Sequence, residues 1–328
     1  MRKPTFLLIW TLAVLISSST PADSPRSSFS LKSVGSFGAH DDEGSDDEAP
    51  DEPRDFAEFF ETDPRNDPDT LVAGQPLDRV AWNDDPPAFP GDAPGSLSAA
   101  YDANAPASLF GFRLPQSFSE ETPFTAAAAF VVRSEGFWAD PNGFFQISWG
   151  LWNTTSTGLN RTGDTASFAG DTFELIEFDY FPNVSPFFGG PFVGPGVFGR
   201  AAVDDPSFEF SGSFVNFTGL FDLEVALPLD VPLLAVLEHR PGLDAMPVQV
   251  YRIVGAQAVL PLQGAVGLVP LDLLSLRAYE VDAVGLTLWH DGFSGPSPSV
   301  TATLTYHALI VVPRLVARPE DLLHVAGE

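Results

Sequence analysis

The strongest constraint on the fold is a run of strictly alternating side chains near the C-terminus. In residues 299–312, Thr301, Thr303, Thr305 and His307 fall on one side of an extended chain, and Ala302, Leu304, Tyr306 and Ala308 on the other. A period of two is the signature of a strand with one buried face. The same pattern, rich in β-branched and aromatic residues, returns at 124–133 (FTAAAAFVVR), 143–152 (GFFQISWGLW), 172–181, 207–227, 248–254 and 276–289. Turn chemistry separates these segments: DPNG at 140–143, FFGG at 187–190 and HDGFSGPSP at 290–298. No 10-residue stretch carries a sustained helical repeat with caps. Many strands without helices predict an all-β fold, an antiparallel β-sandwich with its Phe and Trp residues between two large sheets.

Charge and cysteine content narrow the function. The chain holds 44 Asp and Glu against 16 Lys and Arg, a formal net charge of −28. Nucleic acid is excluded as a partner, because a phosphate backbone needs a basic footprint. With no cysteine, disulfide scaffolds, thiolate metal sites and catalytic thiols are excluded as well.

The chain divides into five parts. Residues 1–22 read as a signal peptide: Arg2 and Lys3 precede an eleven-residue apolar run (FLLIWTLAVLI) and the small residues SSSTPA. That run is too short to span a bilayer as a helix, so a protein without a membrane span, secreted or periplasmic, is expected after cleavage. Residues 23–69 are acidic, with HDDEGSDDEAPDEPRD at their centre, and predict disorder through self-repulsion and little to bury. Residues 70–97 form a Pro/Gly-rich lead-in with one edge strand near Trp82. The β domain follows at 98–316, and 317–328 is a tail.

The densest candidate chemistry is residues 171–183, DTFELIEFDYFPN. In an extended strand Glu177 and Asp179 share a face with Leu175, and Glu174 lies opposite. Two carboxylates two apart can share a cation, act as a glycosidase pair, or face water at a strand end.

The stretch IEFDYFPN at 176–183 resembles the metal-binding strand of legume-type (L-type) lectins. Upstream, Ala139-Asp140 and Phe144-Phe145 resemble that family's sugar-binding segment, and Asp140 precedes Asn183 by 43 residues. The resemblance spans roughly residues 130–183 and implies a jelly-roll, concanavalin A-like sandwich that binds carbohydrate. Carried over by position, Glu177 would bind a transition-metal ion and Asp179 would bridge it to Ca²⁺. Phe181 would offer its carbonyl to Ca²⁺, Asn183 would bind Ca²⁺ and sugar, and Asp140 would accept from sugar hydroxyls. The family places a further Asp and a His after that Asn, but residues 184–203 contain no Asp, Glu or His. The resemblance therefore implies an incomplete metal site.

Laminarinase-like hydrolases of the same architecture set three carboxylates on one strand face. In ELIEFD the first lies on the wrong face, which disfavours a glycoside hydrolase. The five His show no metal spacing. Trp152, beside the polar loop NTTSTGLNRTGDT, is a candidate platform for stacking on sugar. The expectation is a secreted, non-catalytic module that binds glycans or extracellular polysaccharide, with Ca²⁺ as its cofactor. The alternative is a structural or adhesive module without a small-ligand site.

Overall fold

A computed structural model describes residues 53–74, 76–89, 92–102, 105, 108–135, 147–154, 175–182, 192–193, 196–199, 214–217, 225–243, 245–256, 258–270, 280–288 and 301–325. All lie in one compact unit, Glu52–Glu328. Its strands in chain order are β1 (Phe56–Glu58), β2 (Thr70–Ala73), β3 (Val80–Asn83), β4 (Ser96–Asp102), β5 (Ser108–Ser119), β6 (Phe124–Glu135), β7 (Ile147–Trp152), β8 (Leu175–Phe181), β9 (Phe192–Val193), β10 (Gly196–Gly199), β11 (Phe214–Phe217), β12 (Pro232–His239), β13 (Ala245–Gly255), β14 (Ala258–Pro270), β15 (Glu280–Leu288) and β16 (Thr301–Val312).

These strands form two antiparallel sheets packed face to face. The first runs β14-β13-β12-β6-β16-β4-β3, with β1 also paired to β16. The second runs β11-β10-β8-β7-β15-β5-β2, with β9 paired to β8. Strands distant in sequence are neighbours in both sheets, as β6 and β16 are. Between the sheets lies the main core. Leu304, Tyr306, Phe130 and Val132 come from the first sheet; Trp149, Phe178, Val284 and Leu286 come from the second. Phe178 stacks on Trp149 and meets Phe130 from the opposite sheet, with ring centroids 6.0 and 6.1 Å apart. The sandwich expected from the alternation is the fold observed.

A second core covers the outer face of the first sheet. Ala127, Ala129, Leu234, Val236, Ala308, Ile310 and Val312 pack there against Phe89, Leu322, Leu323 and Val325. Ala is a poor strand former on its own. The Ala126–Ala129 run is nonetheless extended because it is squeezed between two cores: Ala126 and Ala128 face one, Ala127 and Ala129 the other.

Three sequence expectations are corrected here. Residues 53–69 fall in the segment expected to be disordered, yet β1 pairs with β16 from Phe56↔Val311 to Glu58↔Leu309. Average acidity hid the local apolar sequence FAEFF, whose Phe60 is fully buried. The rest of that segment, 23–52, lies outside the described residues. The C-terminal tail is folded as well: a 3-10 segment, Pro319–His324, carries Leu322 and Leu323 into the second core. Finally, the alternation of β16 breaks at His307. Tyr306 pairs with Phe130 and Ala308 with Ala129, so His307 is the extra residue of a bulge. Ala308 therefore joins the outer face rather than the face of Tyr306.

Candidate functional site

The acidic strand β8 lies inside the second sheet, between β7 and β10. Ile176, Phe178 and Tyr180 enter the main core. Glu177 and Asp179 therefore project from the opposite face, as the alternation predicts. Both are fully buried, which excludes the reading of two solvated charges at a strand end.

Their surroundings follow from the register. Asp179 pairs with Ser148, and Ser148 pairs on its other side with Thr287. One step along, Glu177 pairs with Gly150, and Gly150 with Gly285. The Thr287 hydroxyl bonds the Glu177 carboxyl, although β7 lies between their strands. Gly150 makes that reach possible: a Cβ there would sit 2.9 Å from Glu177 Cγ and 2.4 Å from the Ile176 carbonyl oxygen. Ser148 completes the cluster. Its hydroxyl contacts the Thr287 hydroxyl and donates to the Thr287 carbonyl at 3.0 Å. Glu177, Asp179, Ser148 and Thr287 are all fully buried. Burying so much polarity is costly unless each group is satisfied, so the cluster is a committed feature of this sheet face.

The cluster is joined to the core through the backbone of β7. Tyr101 of β4 donates to the Ser148 carbonyl at 3.0 Å, and its oxygen lies 2.7 Å from that of Tyr306. Because Tyr101 has a single proton, Tyr306 donates to Tyr101. Burial pushes both phenols above their usual range; for Tyr101 the neighbouring Tyr306 and the Glu177 charge add to the rise.

Trp152 is not an exposed platform. It is 1% exposed, on the same sheet face as Ser148 and Gly150. Its indole lies over Gly285 and Gly111, where added Cβ atoms would stand 2.7 Å from ring carbons. Gly111 and Gly285 pair directly, and together they form a floor for the ring. Beyond Trp152 the chain is pinned by Asp282 of β15, which accepts from the Thr154 amide at 2.6 Å and the Thr154 hydroxyl at 2.8 Å.

Of the other expected site residues, Phe181 ends β8 opposite Phe192. Asp140 and Asn183 lie outside the described residues. Among the described residues no group of three His, Cys, Asp or Glu gathers. A transition-metal site on Glu177 does not fit: its carboxyl is drawn over β7 to Thr287, and no imidazole joins it among the described residues. Asp179 and the Phe181 carbonyl are hard oxygen donors of the kind Ca²⁺ takes. His307, which the sequence alternation places on the side of Thr301, Thr303 and Thr305, is 1% exposed. Its Nδ1 is 3.0 Å from Asp92 Oδ2, without the alignment of a hydrogen bond, and its ring meets the edge of Phe89.

Sequence reasoning missed Ser148, Thr287 and Gly150. Ser148 alternates onto the correct face of 143–152, but nothing in the sequence places Thr287, 139 residues later, beside it.

Neither a protein-family model nor a curated protein matches the chain. Solved structures align with it at low similarity. Peanut lectin, solved with a nine-residue peptide, is 10% identical over 80% of this chain and 99% of that one, with a TM-score of 0.36. Lectin II from Ulex europaeus is 12% identical over 80% and 99%, with a TM-score of 0.41. An endo-β-1,4-glucuronan lyase from the fungus Trichoderma reesei is 12% identical over 76% and 93%, with a TM-score of 0.43. At these values no residue's role follows from the alignments. No helix among the described residues is long and apolar enough to cross a membrane.

Proposed function

We propose that the chain is a secreted, non-catalytic carbohydrate-binding module that takes glycans or extracellular polysaccharide. The observation that carries this reading is the buried cluster of Glu177, Asp179, Ser148 and Thr287 on the sheet face pointing away from the main core. A face needed only for packing gains nothing from two buried carboxylates. The signal peptide read in residues 1–22 supports export. In this reading Ca²⁺ binds at Asp179, the Phe181 carbonyl and Asn183, and its role is to hold the chain after β8 in a sugar-binding conformation. Asp140 and Asn183 then accept from and donate to sugar hydroxyls.

Catalysis is disfavoured by the same cluster. A retaining glycosidase needs two carboxyl groups free to face one glycosidic bond. Here Glu177 is engaged by Thr287.

The test is a glycan array probed with the full secreted chain in Ca²⁺ and in EDTA, beside Asp179→Asn. Binding that is lost in EDTA and in Asp179→Asn is expected. Absence of binding under every condition would leave the structural or adhesive module. Release of reducing ends from a bound polysaccharide would establish a hydrolase.

A further inference from the structure

The lectin resemblance gives Glu177 and Asp179 one shared task, and the sheet gives them two. Glu177 and Asp179 leave β8 on the same face, but their cross-strand neighbours differ. Asp179 stands beside Ser148, a small hydroxyl residue. Glu177 stands beside Gly150, which has no side chain. Beyond Gly150 comes Gly285, which lies under the Trp152 indole, so the bare-backbone floor under Glu177 is that of Gly150. The side chain lies down along this floor and meets the Thr287 hydroxyl on β15. Adjacent strands are spaced ~4.8 Å apart, so this single bond ties strands separated by ~10 Å and clamps β7 between them.

We infer that Glu177 is a strut rather than a metal ligand, and that it confines cation binding to Asp179 and hard oxygen donors. Thr287 donates to Glu177, and Ser148 donates to the Thr287 carbonyl. The two hydroxyl protons are thereby spent within the cluster. A cation drawing on the Glu177 carboxyl would have to break the Thr287 bond and lift the chain off Gly150. A site with one carboxylate instead of two suits Ca²⁺, which fills its shell with carbonyls and water. It is poor for a transition ion that needs a compact set of anionic or imidazole donors. This rests on the Ca²⁺ reading above, and the experiment separates the two.

The experiment is thermal melting of the full chain in EDTA, millimolar Ca²⁺, Mn²⁺ and Mg²⁺ at equal ionic strength. The variants are Glu177→Gln, Thr287→Val, their double, Thr287→Ser and Asp179→Asn. In EDTA, Glu177→Gln and Thr287→Val should each lower the midpoint by several degrees. The double variant should fall no further than the worse single, because both remove one contact. Thr287→Ser keeps the hydroxyl and should melt like wild type. The rise in Ca²⁺ beyond that in Mg²⁺ should persist in Glu177→Gln and vanish in Asp179→Asn, and Mn²⁺ should do no more than Mg²⁺. Loss of the Ca²⁺ rise in Glu177→Gln would make it a ligand and overturn the inference. So would additive losses in the double variant, or a Mn²⁺ rise that Glu177→Gln abolishes. If Glu177→Gln fails to fold, the Ca²⁺ rise in Thr287→Val against Thr287→Ser gives the same decision. A wild type with no Ca²⁺ rise would defeat the Ca²⁺ reading alone, and the EDTA arm would still decide the strut.

Discussion

Glu177 and Thr287 bond across a strand that belongs to neither of them, over the bare backbone of Gly150. Most side-chain contacts in a sheet join adjacent strands. This one skips a strand, and that geometry places a demand on the glycine.

Gly150→Ala should therefore be strongly destabilising. Its Cβ would meet the Ile176 carbonyl oxygen at 2.4 Å, and a backbone atom between paired strands cannot turn aside. Overpacking of this kind costs ~1–3 kcal/mol, and more when backbone is displaced. Urea unfolding should show a midpoint lowered accordingly at unchanged slope. A midpoint equal to wild type would mean that the strands separate freely there.

Trp152→Ala should cost ~3–5 kcal/mol, as for a large aromatic removed from a core. An exposed stacking residue would instead lose ligand affinity at nearly constant stability. Denaturant melts of Trp152→Ala decide between the two, and no ligand is needed.

The tyrosine pair predicts alkaline sensitivity. Burial raises the Tyr101 and Tyr306 phenols above the ordinary tyrosine value of ~10. Above about pH 10 the unfolded chain releases these protons while the folded chain keeps them. Stability is thus full below pH 10 and falls as pH rises toward the folded values, at up to ~1.4 kcal/mol per pH unit for each phenol. Tyr251, raised for the same reason, adds to the slope. Urea midpoints between pH 9 and 11 should fall less steeply in Tyr306→Phe. That variant leaves the Tyr101 bond to Ser148 in place, so its cost at pH 7 should be small, near ~1 kcal/mol. An equal slope in wild type and variant would contradict this account.

Limited proteolysis should give a core that begins near residue 53 rather than beyond 69. Arg314 forms a two-pronged ion pair with Asp55, and the Trp82 indole donates to the Phe60 carbonyl at 2.7 Å. A chain starting at residue 62 should melt several degrees below one starting at 53. Identical melts would show that β1 contributes nothing.

The two sheets were legible in the sequence because alternation is a local property. The face assignments of Ile147, Trp149 and Leu151, and of Ile176, Phe178 and Tyr180, follow from counting by two. What counting cannot supply is which strands become neighbours. Thr287, Gly285 and Gly111 acquire their meaning only when β15 and β5 are laid beside β7. Trp152 could be named only as a candidate platform for that reason: the floor that buries it is built from two glycines elsewhere in the chain. β1 was missed for a different one, since an acidic average conceals three phenylalanines.

The bulge at His307 has a consequence for how this strand can change length. Before it, residues of even number face the main core; after it, Leu309 and Val311 do, while Ala308, Ile310 and Val312 line the second core. Losing that one residue would make Tyr306 and Ala308 successive rungs opposite Phe130 and Ala129, and plain alternation would still send Leu309 and Val311 inward and Ala308, Ile310 and Val312 outward. A single-codon deletion of His307 should thus leave both interiors filled and remove only the local kink of the bulge. His307→Ala likewise leaves both interiors correctly filled and should remain folded.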